Sequence, residues 1–240
     1  MTPPALLIPP VEIPVLALPT EDGVPLETNW HCLEISLRVD CIHAHWADRR
    51  DDFAGGNIFI YFSLEQARRQ DYRGPDFFLV QGVDGARDRD AWVVWEEEGR
   101  YPDLIIELSS PSTEAVDRGP KKRLYERTFR TPEYFCYSPD GHRLDGWHRA
   151  NNQYAALEPN EDGRMWSEVL GLWLGNWEGA YQHIPATWLR FYTPDGQLVP
   201  TQAEAQAARA DAQAQRAEAA EAEVARLRAE LERVKPRRKK

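Results

Sequence analysis

PDLIIELSSPSTEAVDRGPKKRLY (102–125) reads as a strand, a turn-rich link and the opening of a helix. The apolar run LIIEL (104–108) is short, rich in Leu and Ile, and bounded by Pro102 and the SSPST segment. That is the pattern of a buried strand. Side chains alternate along a strand, so Asp103, Ile105 and Glu107 share one face and Leu104, Ile106 and Leu108 the other. The second face is wholly apolar. The first carries a carboxylate at 107, which is costly to bury without a partner. Upstream, PDFFLV (75–80) has the same strand character and also opens on a carboxylate, Asp76. Asp76 and Glu107 stand 31 positions apart, room for two strands and a connection. If the strands are neighbours, both carboxylates meet at one edge of a sheet.

Downstream, Asp117, Lys121 and Tyr125 follow at four-residue steps and so share one helix face. Lys121 then reaches toward the carboxylates, whereas Lys122 points about 100° away. Two acids and a lysine suggest a divalent metal beside phosphate chemistry. Magnesium, or manganese in its place, takes one or two protein carboxylates and a substrate phosphate. Asp76 and Glu107 are the candidate ligands, with the Leu108 carbonyl as a further one. Such a metal polarises the phosphate and acidifies a bound water. Lys121 would orient that water or stabilise the charge that builds on phosphate. Each residue also has an ordinary reading: Asp103 capping a turn, Asp117 capping the helix, and Lys121 pairing with a nearby acid.

Around this segment the pattern is mixed. Residues 28–47 read as a helix, with Trp30, Leu33, Leu37, Cys41 and Ala44 at helical spacing and Thr28 as N-cap. Strands are expected at 58–64, 75–83, 91–98, 102–110 and 132–138. A helix is expected from Lys121 onward, with Pro120 in its first turn. A hairpin or meander follows over 142–158. Four tryptophans, Trp166, Trp173, Trp177 and Trp188, read as packing of a C-terminal lobe. The fold class is therefore α/β: a mixed sheet flanked by helices, with a β-rich extension. The organisation expected is a proline-rich arm over 1–20, one domain with its extension over 21–200, and an Ala/Glu/Arg-rich helix over 201–240. That helix carries a heptad-like seam from Ala203 to Val234. It reads as a protruding helix, either a coiled-coil homodimer or a solvated single helix.

Composition narrows the function classes. No apolar run approaches the roughly 20 residues of a membrane helix. The three cysteines, Cys32, Cys41 and Cys136, lack CxxC spacing, which points to reduced thiols in a cytoplasmic protein. The net charge is −10, and the last 40 residues carry +3, leaving −13 on the rest. An acidic body disfavours unspecific nucleic-acid binding, which depends on phosphate neutralisation. A local basic cluster, Arg118, Lys121, Lys122, Arg123, Arg127 and Arg130, runs against that trend.

The residues Pro75-Asp76, Glu107 through Thr113, Asp117…Lys121…Tyr125 and Glu133-Tyr134-Phe135 together resemble the Uma-two family of bacterial proteins. The resemblance spans about residues 20–150 and is more specific in its second half. The family pattern is PD, a strand ending EVLSPST, D-x-x-x-K-x-x-x-Y and an EYW strand. Its N-terminal segment matches DGVPLETNWH (22–31), which adds Glu27 and His31 as supporting site residues beside Tyr125. The family lies within the restriction-endonuclease-like, PD-(D/E)XK superfamily. The resemblance implies a sheet flanked by helices and magnesium-dependent phosphodiester hydrolysis of nucleic acid, DNA first, leaving a 5′-phosphate. The superfamily lysine stands two residues after the glutamate, where this chain has Ser109; the family carries it on the next helix, which maps to Lys121. The rival reading is an inactive nuclease-like scaffold assembled through the C-terminal helix. A metal-free carboxylate-pair glycosidase is a third, without any sugar-binding signature near the pair.

Overall fold

The structure, a computed structural model, describes residues 28–69 and 74–234. The proline-rich arm, Glu27 and the PRRKK end lie outside the described residues. Along the chain run α1 (Asn29–His45), β1 (Asp52–Gly55), β2 (Ile60–Tyr61), α2 (Leu64–Arg68), β3 (Phe77–Gln81), β4 (Trp92–Val93) and β5 (Leu104–Leu108). A helical run over 114–129, here α3, leads to β6 (Glu133–Ser138), β7 (Arg143–Ala150) and β8 (Gln153–Ala156). The chain continues through β9 (Met165–Ser167), β10 (Leu172–Tyr181), β11 (Ile184–Tyr192) and α4 (Gln202–Val234).

A six-stranded sheet in the order β1-β3-β5-β6-β7-β8 forms the centre. β5 and β6 are parallel and α3 connects them; the other neighbours are antiparallel. Strands buried on both faces read as continuous apolar runs, and all five residues of β5 are buried. One face presents Phe77, Leu79, Leu104, Ile106, Phe135 and Tyr137 to α1 and to the three-stranded sheet β11-β10-β9. The other face presents Phe78, Val80, Ile105, Tyr134 and Cys136 to Tyr125 and Phe129 of α3. The mixed sheet flanked by helices, with its β-rich extension, matches the sequence reading. The tryptophans of the extension pack as read, Trp188 fully buried and Trp166 edge-on to Trp173.

Three local readings are corrected. The 58–64 run yields only the two residues of β2, because Ser63 accepts the Gln66 N–H at 3.0 Å and starts α2. The 91–98 run yields only β4, which pairs with β2, before the chain turns through 94–99. α3 begins at Glu114, so Pro120 sits inside it rather than in a first turn. Turns of π type at Asp117–Lys121 and Tyr125–Phe129 alternate there with α turns, and the Lys122 N–H reaches back to the Asp117 carbonyl. The wider turn fits around a residue that has no N–H to give.

Thr28 caps α1 as expected, accepting the His31 N–H at 3.2 Å. Toward its far end α1 meets α4, where Asp40 Oδ1 accepts the Gln202 N–H at 3.4 Å. Arg190, buried in β11, holds Glu204 of α4 at 2.8 Å, and Thr201 caps that helix through the Glu204 N–H. Beyond Gln206 the described side chains of α4 are exposed, so the helix protrudes. Among the described residues no helix is long and apolar enough to cross a membrane.

Candidate active site

The strand register alone brings the two carboxylates together. Phe77 pairs with Ile106 and Phe78 with Ile105, so one step further along puts Asp76 across from Glu107. Residues directly opposite in an antiparallel pair point to the same side. Asp76 Oδ2 accepts the Leu108 N–H at 2.6 Å, and Glu107 Oε2 accepts the Asp76 N–H at 3.3 Å. The turn before β2 packs beneath this strand end. The Asn57 N–H donates to the Pro75 carbonyl at 3.0 Å. A Cβ on Gly56 would stand 2.0 Å from the Asp76 carbonyl oxygen and 2.7 Å from Ile35 Cγ2, so only glycine fits there.

α3 brings the remaining groups over the same face. Tyr125 donates its hydroxyl to Glu107 Oε1 at 2.7 Å. Lys121 Nζ stands 3.2 Å from Glu107 Oε1 and 2.9 Å from Asp117 Oδ1. From the opposite face of the sheet, α1 contributes His31, whose Nε2 lies 2.7 Å from Asp76 Oδ1. Asp76, Glu107, Lys121, Tyr125 and His31 therefore form one cluster; Glu27 lies outside the described residues. Glu107 is fully buried, while the Asp76 and Lys121 side chains are 17% and 27% exposed, which is where a ligand can enter.

Electrostatics follow from this geometry. Burial pushes the Glu107 carboxyl up to about 8, against the pull of Lys121 and with the help of Asp76 and Asp117. Burial also works against Asp76 ionising. There the His31 hydrogen bond and charge, the Leu108 N–H and Lys121 outweigh it, and the carboxyl sits below its usual value. Lys121 is opposed by burial too, yet Glu107, Asp117 and Asp76 raise its pKa, so it stays an ammonium. The site thus holds an Asp76 whose ionised form its neighbours favour, a lysine cation, and a glutamate whose ionisation burial opposes.

Among the described residues, no group of three or more His, Cys, Asp or Glu side chains is arranged to hold a metal ion. The donor set still fits magnesium, which needs only one or two protein carboxylates and keeps several waters. The charge-poor Glu107 fits it as well, since a cation there would favour its ionised form.

A family model described as "Putative restriction endonuclease", Uma2, matches residues 24–178. The chain belongs to the Uma2 family. The "Uncharacterized protein slr1290" of Synechocystis sp. is 30% identical over 139 residues, 58% of this chain and 68% of that protein. A crystal structure from Anabaena variabilis, described as "a putative nuclease belonging to DUF820", is 16% identical with a TM-score of 0.43. That likeness covers 61% of this chain and 76% of the other. Membership of Uma2 places the chain among restriction-endonuclease-like proteins.

Two participants escape the sequence reading. Asp117 does not cap a helix; it is buried inside α3 as a third carboxylate. Ser109 donates its hydroxyl to Asp117 Oδ2 at 3.0 Å. The four-residue spacing of Asp117 and Lys121 signals the contact between them, but nothing local signals that Asp117 is buried. Other members of the basic cluster are spent elsewhere: Arg118 pairs with Asp145 and Glu114, and Lys122 Nζ lies 3.9 Å over the Trp147 ring.

Proposed function

We propose that this Uma2 protein is a metal-dependent endonuclease-like phosphodiesterase acting on nucleic acid, with DNA as the first substrate to test. The observation that supports it best is the meeting of Asp76, Glu107 and Lys121 at one partly open strand end. Asp76 and Glu107 would hold magnesium or manganese. Bound there, the ion would supply Lewis acidity to the scissile phosphate and to an attacking water. Lys121 offers donors to a phosphate oxygen as negative charge builds. Tyr125 fixes the Glu107 carboxylate, and His31 and the Leu108 N–H fix Asp76, so neither swings away from its place.

Calorimetry with manganese tests the metal step: wild type binds, while Asp76→Ala and Glu107→Ala lose measurable affinity. Plasmid nicking with manganese tests the chemistry, and equal nicking by wild type and Lys121→Ala would remove the lysine from the mechanism. A second reading, an inactive scaffold, is favoured by one observation. Protein donors already engage all four oxygens of Asp76 and Glu107. Wild type that binds no metal with or without DNA would establish that reading.

A further inference from the structure

We infer that Asp117, anchored by Ser109, is a positioning residue that keeps Lys121 at the reacting centre once a cation occupies Glu107. This inference rests on the metal-dependent reading above. Lys121 Nζ bridges two carboxylates, Glu107 Oε1 at 3.2 Å and Asp117 Oδ1 at 2.9 Å. A divalent cation held at Glu107 would repel the ammonium and compete for the first of these partners. The second is then what remains to hold it. Without Asp117 a flexible four-carbon stem would carry Lys121 toward solvent, since its side chain is already partly exposed.

Asp117 is itself well fixed. Its Oδ2 accepts from Ser109 Oγ at 3.0 Å, and its backbone carbonyl accepts from the Tyr134 hydroxyl at 2.9 Å. Ser109 sits two residues beyond Glu107, just past the end of β5, and its N–H is tied to the Tyr137 carbonyl at 2.7 Å. The chain Ser109–Asp117–Lys121 thus transmits the position of the central strand to an ammonium on α3. Asp117 and Lys121 stand at the two ends of the π-type turn, with Gly119 and Pro120 between them, and their side chains still meet. Asp117 need not touch substrate or metal; it acts through Lys121.

Two readouts test this. The first is the side-chain ammonium signal of Lys121 in 15N-labelled protein, recorded with saturating magnesium. A held ammonium exchanges slowly and gives a resolved signal, assigned by its loss in Lys121→Arg. The signal should persist in wild type, disappear in Asp117→Asn and broaden in Ser109→Ala. The second is a double-mutant comparison of plasmid nicking. Asp117→Asn should lower kcat by about the same factor as Lys121→Ala, roughly 10- to 100-fold, with KM little changed. In the Lys121→Ala background Asp117→Asn should cost nothing further. Circular dichroism of each variant identifies any that fail to fold, and Ser109→Ala, which leaves Asp117 in place, then carries the test. A Lys121 signal indifferent to Asp117→Asn, or additive losses in the double variant, overturns the inference. Wild type without nicking activity overturns the nuclease reading instead, and leaves the ammonium signal to judge Asp117 independently.

Discussion

At the residue scale two of the molecule's buried charge clusters behave differently. The site cluster opens to solvent, whereas Glu34 and Arg38, one turn apart on α1, are both fully buried. Glu34 Oε1 accepts from Arg38 Nη2 at 2.9 Å and from the Leu189 N–H at 2.7 Å, which ties α1 to β11. Burial pushes the Glu34 carboxyl from 4.5 up to about 7, even against the pull of Arg38. Its folded value lies above its unfolded one, so the folded protein keeps the proton that the unfolded chain has released. The stability this contributes is full below about pH 4.5 and is lost as pH rises through about 7. Urea melts should show the wild type losing on the order of 2–3 kcal/mol between those limits from this group, and Glu34→Gln should flatten that slope. Cysteine chemistry follows burial as well. Cys41 and Cys136 are buried, and burial pushes their thiols up to about 12 and about 11. Native protein titrated with a thiol reagent at pH 8 should label Cys32 alone, and denatured protein all three.

At the element scale, strand register does what no single residue does. LIIEL and PDFFLV announce themselves as strands, and their antiparallel pairing sets Asp76 opposite Glu107. That part of the site was legible, because alternation and a 31-residue separation constrain it. The α1 helix and its Thr28 cap were legible for a similar reason, and so was the hairpin at Asn151 and Asn152, whose backbones both take positive φ. Four features were not. β1 at DFAG has too little apolar pattern to stand out. The runs at 58–64 and 91–98 shrink to two residues each because a helix cap and a turn cut them short. Pro120 accounts for the first π-type turn of α3, whereas nothing local signals the second at Tyr125–Phe129. Gly56 gives an element-scale prediction. Gly56→Ala would drive a methyl group into the Asp76 carbonyl and Ile35. It should destabilise by about 1–3 kcal/mol in denaturant melts and, on the metal-dependent reading proposed above, weaken manganese affinity as Asp76 shifts.

At the scale of the whole molecule, two cores on opposite faces of one sheet hold the site between α1 and α3, so each helix is needed to complete it. α4 is outside that arrangement. Its first turn is fixed by Arg190, Glu204 and Thr201, and its remainder touches little of the body. Removing residues 207–240 should reduce the far-UV helical signal while moving the melting midpoint by less than about 2 °C. Glu204→Ala should do the reverse, leaving the helical signal and exposing Arg190 as an unpaired buried cation, at a cost of about 1–3 kcal/mol. The exposed Val224, Leu227 and Leu231 are the apolar part of the seam read from the sequence. Sedimentation of full-length and shortened chains is the direct measure of whether it self-associates.

The 33 residues of α4 also govern how the particle moves through liquid. At 1.5 Å per residue they make a rod about 50 Å long, most of it with exposed side chains. A 240-residue sphere has a radius of gyration of about 18 Å, and small-angle scattering should return a clearly larger value with a long tail in its distance distribution. Drag on that rod makes a 27.6 kDa chain elute early on a sizing column. Light scattering, which weighs the particle instead of timing it, separates shape from assembly.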